Sequence, residues 1–134
     1  MTKSAKTFYE LEVERFAKNH LLGEHLYVQI RQSKAFMDEY YSDPIDLETM
    51  ASTACMSRFY FIRIFKQMYG ITPRHYLRDV RMAKAKELLK SGLSVTEVCF
   101  DVGYESLPTF SSTFKQATGC SPKKYQKMNN GNLE

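Results

Sequence analysis

The C-terminal two thirds of the chain contains itself twice. Residues 61–76 read FIRIFKQMYGITPRHY, and residues 110–125 read FSSTFKQATGCSPKKY. Both fit F-x-x-x-F-K-Q-x-x-G-x-(S/T)-P-x-x-Y, with every matched position displaced by 49 residues. Upstream the match continues at a displacement of 48, where Leu47, Met50, Ala51 and Ala54 align with Val95, Val98, Cys99 and Val102. The second copy therefore has one extra residue between its two helices. A repeat constrains the architecture more than composition can, because each copy must be the same supersecondary unit.

Each copy reads as a short helix, a tight turn and a second helix. Leu47, Met50, Ala51 and Ala54 recur at i, i+3, i+4 and i+7, which is one helical face. Asp46 can N-cap that helix, with Pro44 just before it, and Ser57 can N-cap the next. Phe61, Ile64, Phe65 and Met68 form the second stripe, closed by Gly70 and then Pro73. In the other copy, Val95, Val98, Cys99 and Val102 form the first stripe, and Gly103 takes the turn. Phe110, Thr113, Phe114 and Ala117 follow, closed by Gly119 and Pro122. Cys55 holds the turn position of the first copy.

Between the copies the pattern predicts a strong helix from about Pro73 to Lys90, with proline suited to its first position. Its expected apolar stripe is Leu77, Val80, the stem of Lys84 and Leu88, flanked by Tyr76, Ala83, Ala85 and Leu89. Gly92 ends it. Arg74, Arg78, Arg81, Lys84, Lys86 and Lys90 are expected on the outer face. The fold class is all-α: two helix-turn-helix subdomains joined by a long linker helix, with an extra N-terminal helical segment. The domain reading is an extension over 1–22, a tandem body over 23–128 and a disordered tail over 129–134. Within the body lie a first unit at 46–70, the linker at 73–90 and a second unit at 94–119.

Two short helices joined by a turn of this kind make a helix-turn-helix, whose second helix enters a DNA major groove. Charge agrees with that direction. Residues 1–45 hold six Lys/Arg and seven Asp/Glu, whereas residues 46–134 hold thirteen and eight, so the net +4 belongs to the repeat-bearing part. The longest apolar run is Phe59 to Ile62, far short of the roughly 20 residues that span a bilayer, so no membrane role is expected. No charged segment leads into an apolar one at the start, and the three cysteines are odd in number and widely spaced. A cytoplasmic location follows as an expectation.

Residues from about Glu24 to Tyr125 resemble the DNA-binding domain of AraC/XylS-family transcription regulators. The segments that carry the resemblance are DLETMA, SRFYFIRIFK, GITPRHYLRDVRMAKAKELL, SVTEVCFDVGYES and FSSTFKQATGCSPKKY. The resemblance implies seven helices, the fourth being the linker. At this length the chain resembles the small members without a separate effector domain, or a fragment of a larger regulator. The family's base-contacting positions fall on Phe59, Ile62 and Arg63 in the first unit. In the second they fall on Leu107, Pro108, Thr109, Ser111 and Ser112.

The residues themselves add to this. The face of the first recognition helix opposite its apolar stripe carries Arg58, Phe59, Ile62, Arg63 and Lys66. Arg63 is the strongest candidate, because a guanidinium can grip guanine O6 and N7 together. Phe59 and Ile62 either touch thymine methyls or cover a hydrophobic neighbour such as the N-terminal segment. On the second helix, Pro108 donates no hydrogen bond and the small hydroxyls discriminate weakly, so this unit should position more than it specifies. Phosphate candidates are Ser57, Lys66, Thr72, Arg74, Lys115, Ser121, Lys123 and Lys124, placed at helix N-termini or as nearby cations.

Other chemistry finds little support. His20, His25, His75 and the three cysteines lack paired-ligand spacing, so no metal and no cofactor are expected. No phosphate loop, nucleophile elbow or carboxylate pair points to an enzyme. Cys99 lies on a core stripe; Cys55, in the turn, is the one thiol with a conceivable redox role. In the N-terminal part, Phe8, Leu11, Arg15 and Phe16 suggest a helix over about Ala5 to His20, ended by Gly23. A second helix from Glu24 to Tyr41 presents Leu26, Ile30, Met37 and Tyr40. The first of these is an extra helix on the body, a partner or effector-responsive element, or a frayed tail. The functional expectation is a bacterial sequence-specific regulator, an activator, bound to double-stranded DNA and touching RNA polymerase, with no effector specified. Its rivals are a protein-interaction module that has lost base reading and a non-specific architectural DNA binder.

Overall fold

The computed structural model describes residues 7–130, with side-chain surroundings for 7–11 and 23–130. The described residues form seven helices: α1 (Phe8–Tyr40), α2 (Leu47–Thr53), α3 (Arg58–Tyr69), α4 (Pro73–Lys90), α5 (Val95–Asp101), α6 (Leu107–Thr118) and α7 (Pro122–Asn130). There is no strand among them, and no helix is long and apolar enough to cross a membrane.

The repeat in the sequence is a repeat in space. Side-chain oxygens of Asp46 and Ser94 cap α2 and α5, those of Ser57 and Ser106 cap α3 and α6, and those of Thr72 and Ser121 accept from the first turns of α4 and α7. Each satisfies one of the amides that a helix start leaves without a partner. Gly70 and Gly119 terminate α3 and α6 at φ 78° and 91°, and their N–H groups donate to Lys66 and Lys115 carbonyls, both at 2.8 Å. The left-handed conformation at these two C′ positions is why glycine recurs there.

Two hydrophobic cores result. The first gathers Ile30, Met37, Met50, Ala51, Ala54, Phe61, Phe65 and Leu77; the second gathers Met82, Ala85, Leu89, Val98, Cys99, Val102, Phe110 and Phe114. The repeated phenylalanine pair and tyrosine build one aromatic cluster twice. Phe61–Phe65 and Phe65–Tyr76 centroids lie 5.7 and 5.9 Å apart, and Phe110–Phe114 and Phe114–Tyr125 centroids lie 5.9 and 5.5 Å apart. These tilted or edge-on pairs suit the aromatic quadrupole.

Each core is closed by a different outer helix. The C-terminal half of α1 covers the first, where buried Ser33 donates to the Met50 carbonyl at 3.0 Å and the Tyr76 hydroxyl donates to the Asp38 carboxylate. Helix α7 covers the second, where the Gln126 amide donates to the Leu89 and Leu93 carbonyls at 3.1 and 2.6 Å.

Several expectations need correction. Helix α1 runs unbroken from Phe8 through Gly23 to Tyr40, so Gly23 does not end a helix there. A glycine inside a helix costs only about 1 kcal/mol relative to alanine, and Gly23 lacks the positive φ of a terminating glycine. Phe8 and Leu11 are exposed rather than packed on the body; the side chains of Arg15 and Phe16 lie outside the described residues. Asn129 and Asn130 belong to α7, with the Asn129 amide bonded to the Tyr125 carbonyl at 2.8 Å, so the helix runs into the expected tail. The buried face of α4 is Pro73, Leu77, Met82, Ala85 and Leu89, while Val80, Lys84 and Leu88 are half-buried and Ala83 is exposed. One straight stripe fails here because α4 serves two cores in succession, Leu77 in the first and Met82 onward in the second.

Cys55 sits at φ 56°, the non-glycine residue with positive φ among those described, and its counterpart Gly103 has φ 101°. A left-handed L-residue costs about 1–2 kcal/mol, and glycine's greater unfolded-state freedom returns about 0.5–1 of that. Cys55→Gly is therefore expected to raise stability by up to about 1 kcal/mol, read from the urea midpoint. A clear loss would show that the thiol contributes more than the turn costs it.

Candidate nucleic-acid interface

Burial of Phe61 and Phe65 forces the opposite side of α3 outward, and burial of Phe110 and Phe114 does the same for α6. Helix α3 carries Arg58, Arg63 and Lys66 and no carboxylate; all three are exposed. The Arg63 guanidinium lies 5.2 Å from the Tyr60 ring centroid, and it has no carboxylate partner among the described residues. That stacking leaves its donor edge free. Arg58 lies 5.2 Å over Phe59 and 3.9 Å from the Glu48 carboxylate, an exposed and weak pair.

Phe59 is 76% exposed. Ile62 is half-buried and lines a shallow hollow of about 370 Å³ with Leu47, Arg58, Phe59, Thr72 and Arg74. Among the described residues, no side chain of α1 lines that hollow. Helix α1 meets α3 on another side, where Leu26 and Tyr27 face Ile64 and Met68. The same hollow brings the phosphate candidates Thr72 and Arg74 beside Arg58, Phe59 and Ile62.

On α6, Leu107, Pro108, Thr109, Ser112 and Lys115 are exposed and Ser111 is half-buried. Pro108 occupies the first turn, where its missing N–H is no loss. Lys115 is the lone cation of α6, against three on α3. Lys123 and Lys124 are exposed in the first turn of α7. Ser57, Thr72 and Ser121 each spend a side-chain oxygen accepting a cap bond, which leaves the O–H of each able to donate to an anion. Near the start of α2, the Thr49 hydroxyl and N–H hold the Asp46 carboxyl below the ordinary aspartate range.

Two residues were misplaced by sequence reasoning. Arg81 is not on the outer face of α4. It is half-buried, and its guanidinium bonds the Tyr41 and Asp43 carbonyls. Burial lowers its pKa and raises that of neighbouring Tyr104. Arg78 is also half-buried, with one terminal nitrogen 2.8 Å from His75 Nε2 and a buried Nε that lacks a partner among the described residues. Spacing could not reveal Arg81, whose acceptors lie about 40 positions earlier, whereas His75 stands three residues before Arg78 on the same helix. Among the described residues no group of three His, Cys, Asp or Glu side chains could hold a metal ion. Cys99 is buried, which pushes its thiol pKa up and makes it unreactive.

Two outward recognition helices on one repeated scaffold define a tandem helix-turn-helix protein. Residues 50–128 match the family described as a helix-turn-helix domain. The DNA-binding domain of AdpA, a global transcriptional factor whose crystal structure is in complex with a target DNA, superposes with a TM-score of 0.74 at 30% identity, covering 77% of this chain and 94% of that one. YdeC of Bacillus subtilis strain 168, an uncharacterised HTH-type transcriptional regulator, is 37% identical over 102 residues, 75% of this chain and 35% of YdeC. The HTH-type transcriptional activator RhaS of Escherichia fergusonii is 29% identical over 120 residues, 87% of this chain and 43% of RhaS. The chain belongs to the AraC-type helix-turn-helix family of DNA-binding transcription regulators. It spans roughly a third to two fifths of the length of these curated relatives.

Proposed function

We propose that this chain is a transcription activator that sets α3 and α6 into successive major grooves on one face of an asymmetric site of about 20 base pairs. The observation that carries this is the unlikeness of two outward faces on one repeated scaffold. Helix α3 offers Arg58, Phe59, Ile62 and Arg63; α6 offers Leu107, Pro108, Thr109, Ser111 and Ser112. Arg63 reads a guanine, Phe59 and Ile62 meet thymine methyls, and the hydroxyls of α6 mainly set position. Ser57, Lys66, Thr72, Arg74, Lys115, Ser121, Lys123 and Lys124 hold the phosphate backbone. The activator sign and a contact with RNA polymerase draw on the likeness to RhaS, a named activator, and the site of action is the bacterial cytoplasm.

Selection of bound duplexes from a random library tests this. Two unlike boxes about one helical turn apart are expected. Recovery of unenriched DNA, or of none, overturns the reading. Neutralising about six phosphates should also make log K fall against log salt with a slope near −5. Titration across salt concentrations measures it, and a slope near −1 would contradict the phosphate set.

A further inference from the structure

The two units meet through very little. Apart from the shared helix α4, no substantial helix packing joins α1–α3 to α5–α7 among the described residues. What does cross between them is centred on Arg81. Its Nε donates to the Tyr41 carbonyl at 2.7 Å and a terminal nitrogen donates to the Asp43 carbonyl at 2.9 Å. Both acceptors lie just past the C-terminus of α1, on the α1–α3 side of the molecule. The same guanidinium lies 5.5 Å over the ring of Tyr104, in the turn of the second unit.

The fit around this contact is tight. A Cβ placed on Gly103 would lie 3.0 Å from the carbonyl oxygens of Tyr41 and Ser42 and 3.1 Å from Arg81 Nε. Two of these three atoms are backbone, so they cannot swing aside. Gly103 thus answers two demands, a φ of 101° and direct apposition to the other unit. Helix α1 has neither a basic residue in its last turn nor a glycine cap; Arg81, from α4, supplies the cation its C-terminus lacks.

The clasp lies close to the reading surface. Tyr104 packs at 5.5 Å on Phe110 of α6 and stands two residues before Ser106, which caps α6. Any pivot of the second unit about α4 must pull Tyr104 off Arg81, and such a pivot changes the distance and phase between α3 and α6. Moving one box by one base pair shifts it by about 3.4 Å and about 35° around the duplex. The geometry points to Arg81, seated against Gly103 and Tyr104, as the positioning residue that sets which spacing between the two DNA boxes this protein accepts. This rests on the DNA-binding reading above and goes beyond it, because Arg81 need touch no base.

The test uses the full chain and duplexes carrying the two selected boxes at their natural spacing, or with one base pair added or removed. The unaltered protein is expected to lose about tenfold or more in affinity for either altered spacing. Arg81→Ala is expected to shrink that penalty to about threefold or less, while its preference within each box stays as it was. Gly103→Ala removes no charge and should flatten the spacing profile in the same way, which separates the clasp from a lost phosphate contact. If both variants fold and weaken every spacing by one common factor, or leave the profile as it was, the proposal is wrong.

A second arm needs no DNA. Spin labels at Q67C and Q116C, exposed equivalents on α3 and α6, in a Cys55→Ser, Cys120→Ser background, report the distance between units. A narrow distribution that broadens with Arg81→Ala is expected; equal widths would sink the clasp. Broadening in a protein that selects no DNA would overturn the DNA-binding reading and leave the clasp standing.

Discussion

Phe110→Ala should destabilise the second unit by about 3–5 kcal/mol, the usual loss when a buried phenylalanine is cut back to a methyl. Phe110 is fully buried among Tyr104, Phe114 and the linker-helix residues of the second core. The residues of that core are held by α4, α5 and α6 together, which limits their collapse into the space the ring leaves. A domain of this size holds only about 5–15 kcal/mol in total. The variant should therefore spend a visible fraction of its time with the second unit open. The two cores share only α4, so the effect should stay on one side. Urea unfolding would show the loss, and hydrogen exchange would place it in α5–α7 while α1–α3 keep their protection. A loss below about 1 kcal/mol would mean that the ring is not part of a close-packed core.

Arg63→Ala should leave the fold intact and remove the preference for one base pair. The side chain is exposed, stacks on Tyr60 and pairs with no carboxylate among the described residues, so its removal uncovers no buried charge. A bidentate contact to guanine is worth about 1–3 kcal/mol of discrimination, which is roughly a five- to 150-fold change at that position. Affinity for unrelated DNA should fall much less, because the general attraction comes from many cations. Competition between duplexes that differ at single positions measures both quantities. If Arg63→Ala lowered all affinities equally, Arg63 would hold phosphate, and base reading by α3 would rest on Phe59 and Ile62.

These two variants probe features that were legible in the sequence to different depths. The phenylalanine pairs stood out because they recur at the same spacing in both copies, and the structure places all four in the cores. The caps at Asp46 and Ser57 and the terminating Gly70 and Gly119 were legible for a related reason: each acts within four residues of itself. The outward face of α3 then follows from the inward one.

Arg81 shows where that reasoning ends. On a helical wheel it belongs with the other basic residues of α4, and an exposed arginine is the ordinary outcome. Its acceptors are the Tyr41 and Asp43 carbonyls, about 40 positions earlier, and its stacking partner Tyr104 comes from the other unit. Gly23 shows the converse. Its local signal is a helix stop, yet the helix continues through it.

The sequence by itself determined the two helix-turn-helix units, their caps, their turns and the faces they turn outward. Periodicity, capping and glycine–proline punctuation are short-range physics, and the repeat states them twice. Only the tertiary structure decided that the buried face of α4 passes from one core to the other, and that Arg81 turns inward to join the units. Those outcomes depend on which surfaces meet across long stretches of chain, where a carbonyl or an aromatic ring 20 to 40 residues away outweighs the local preference of a single side chain.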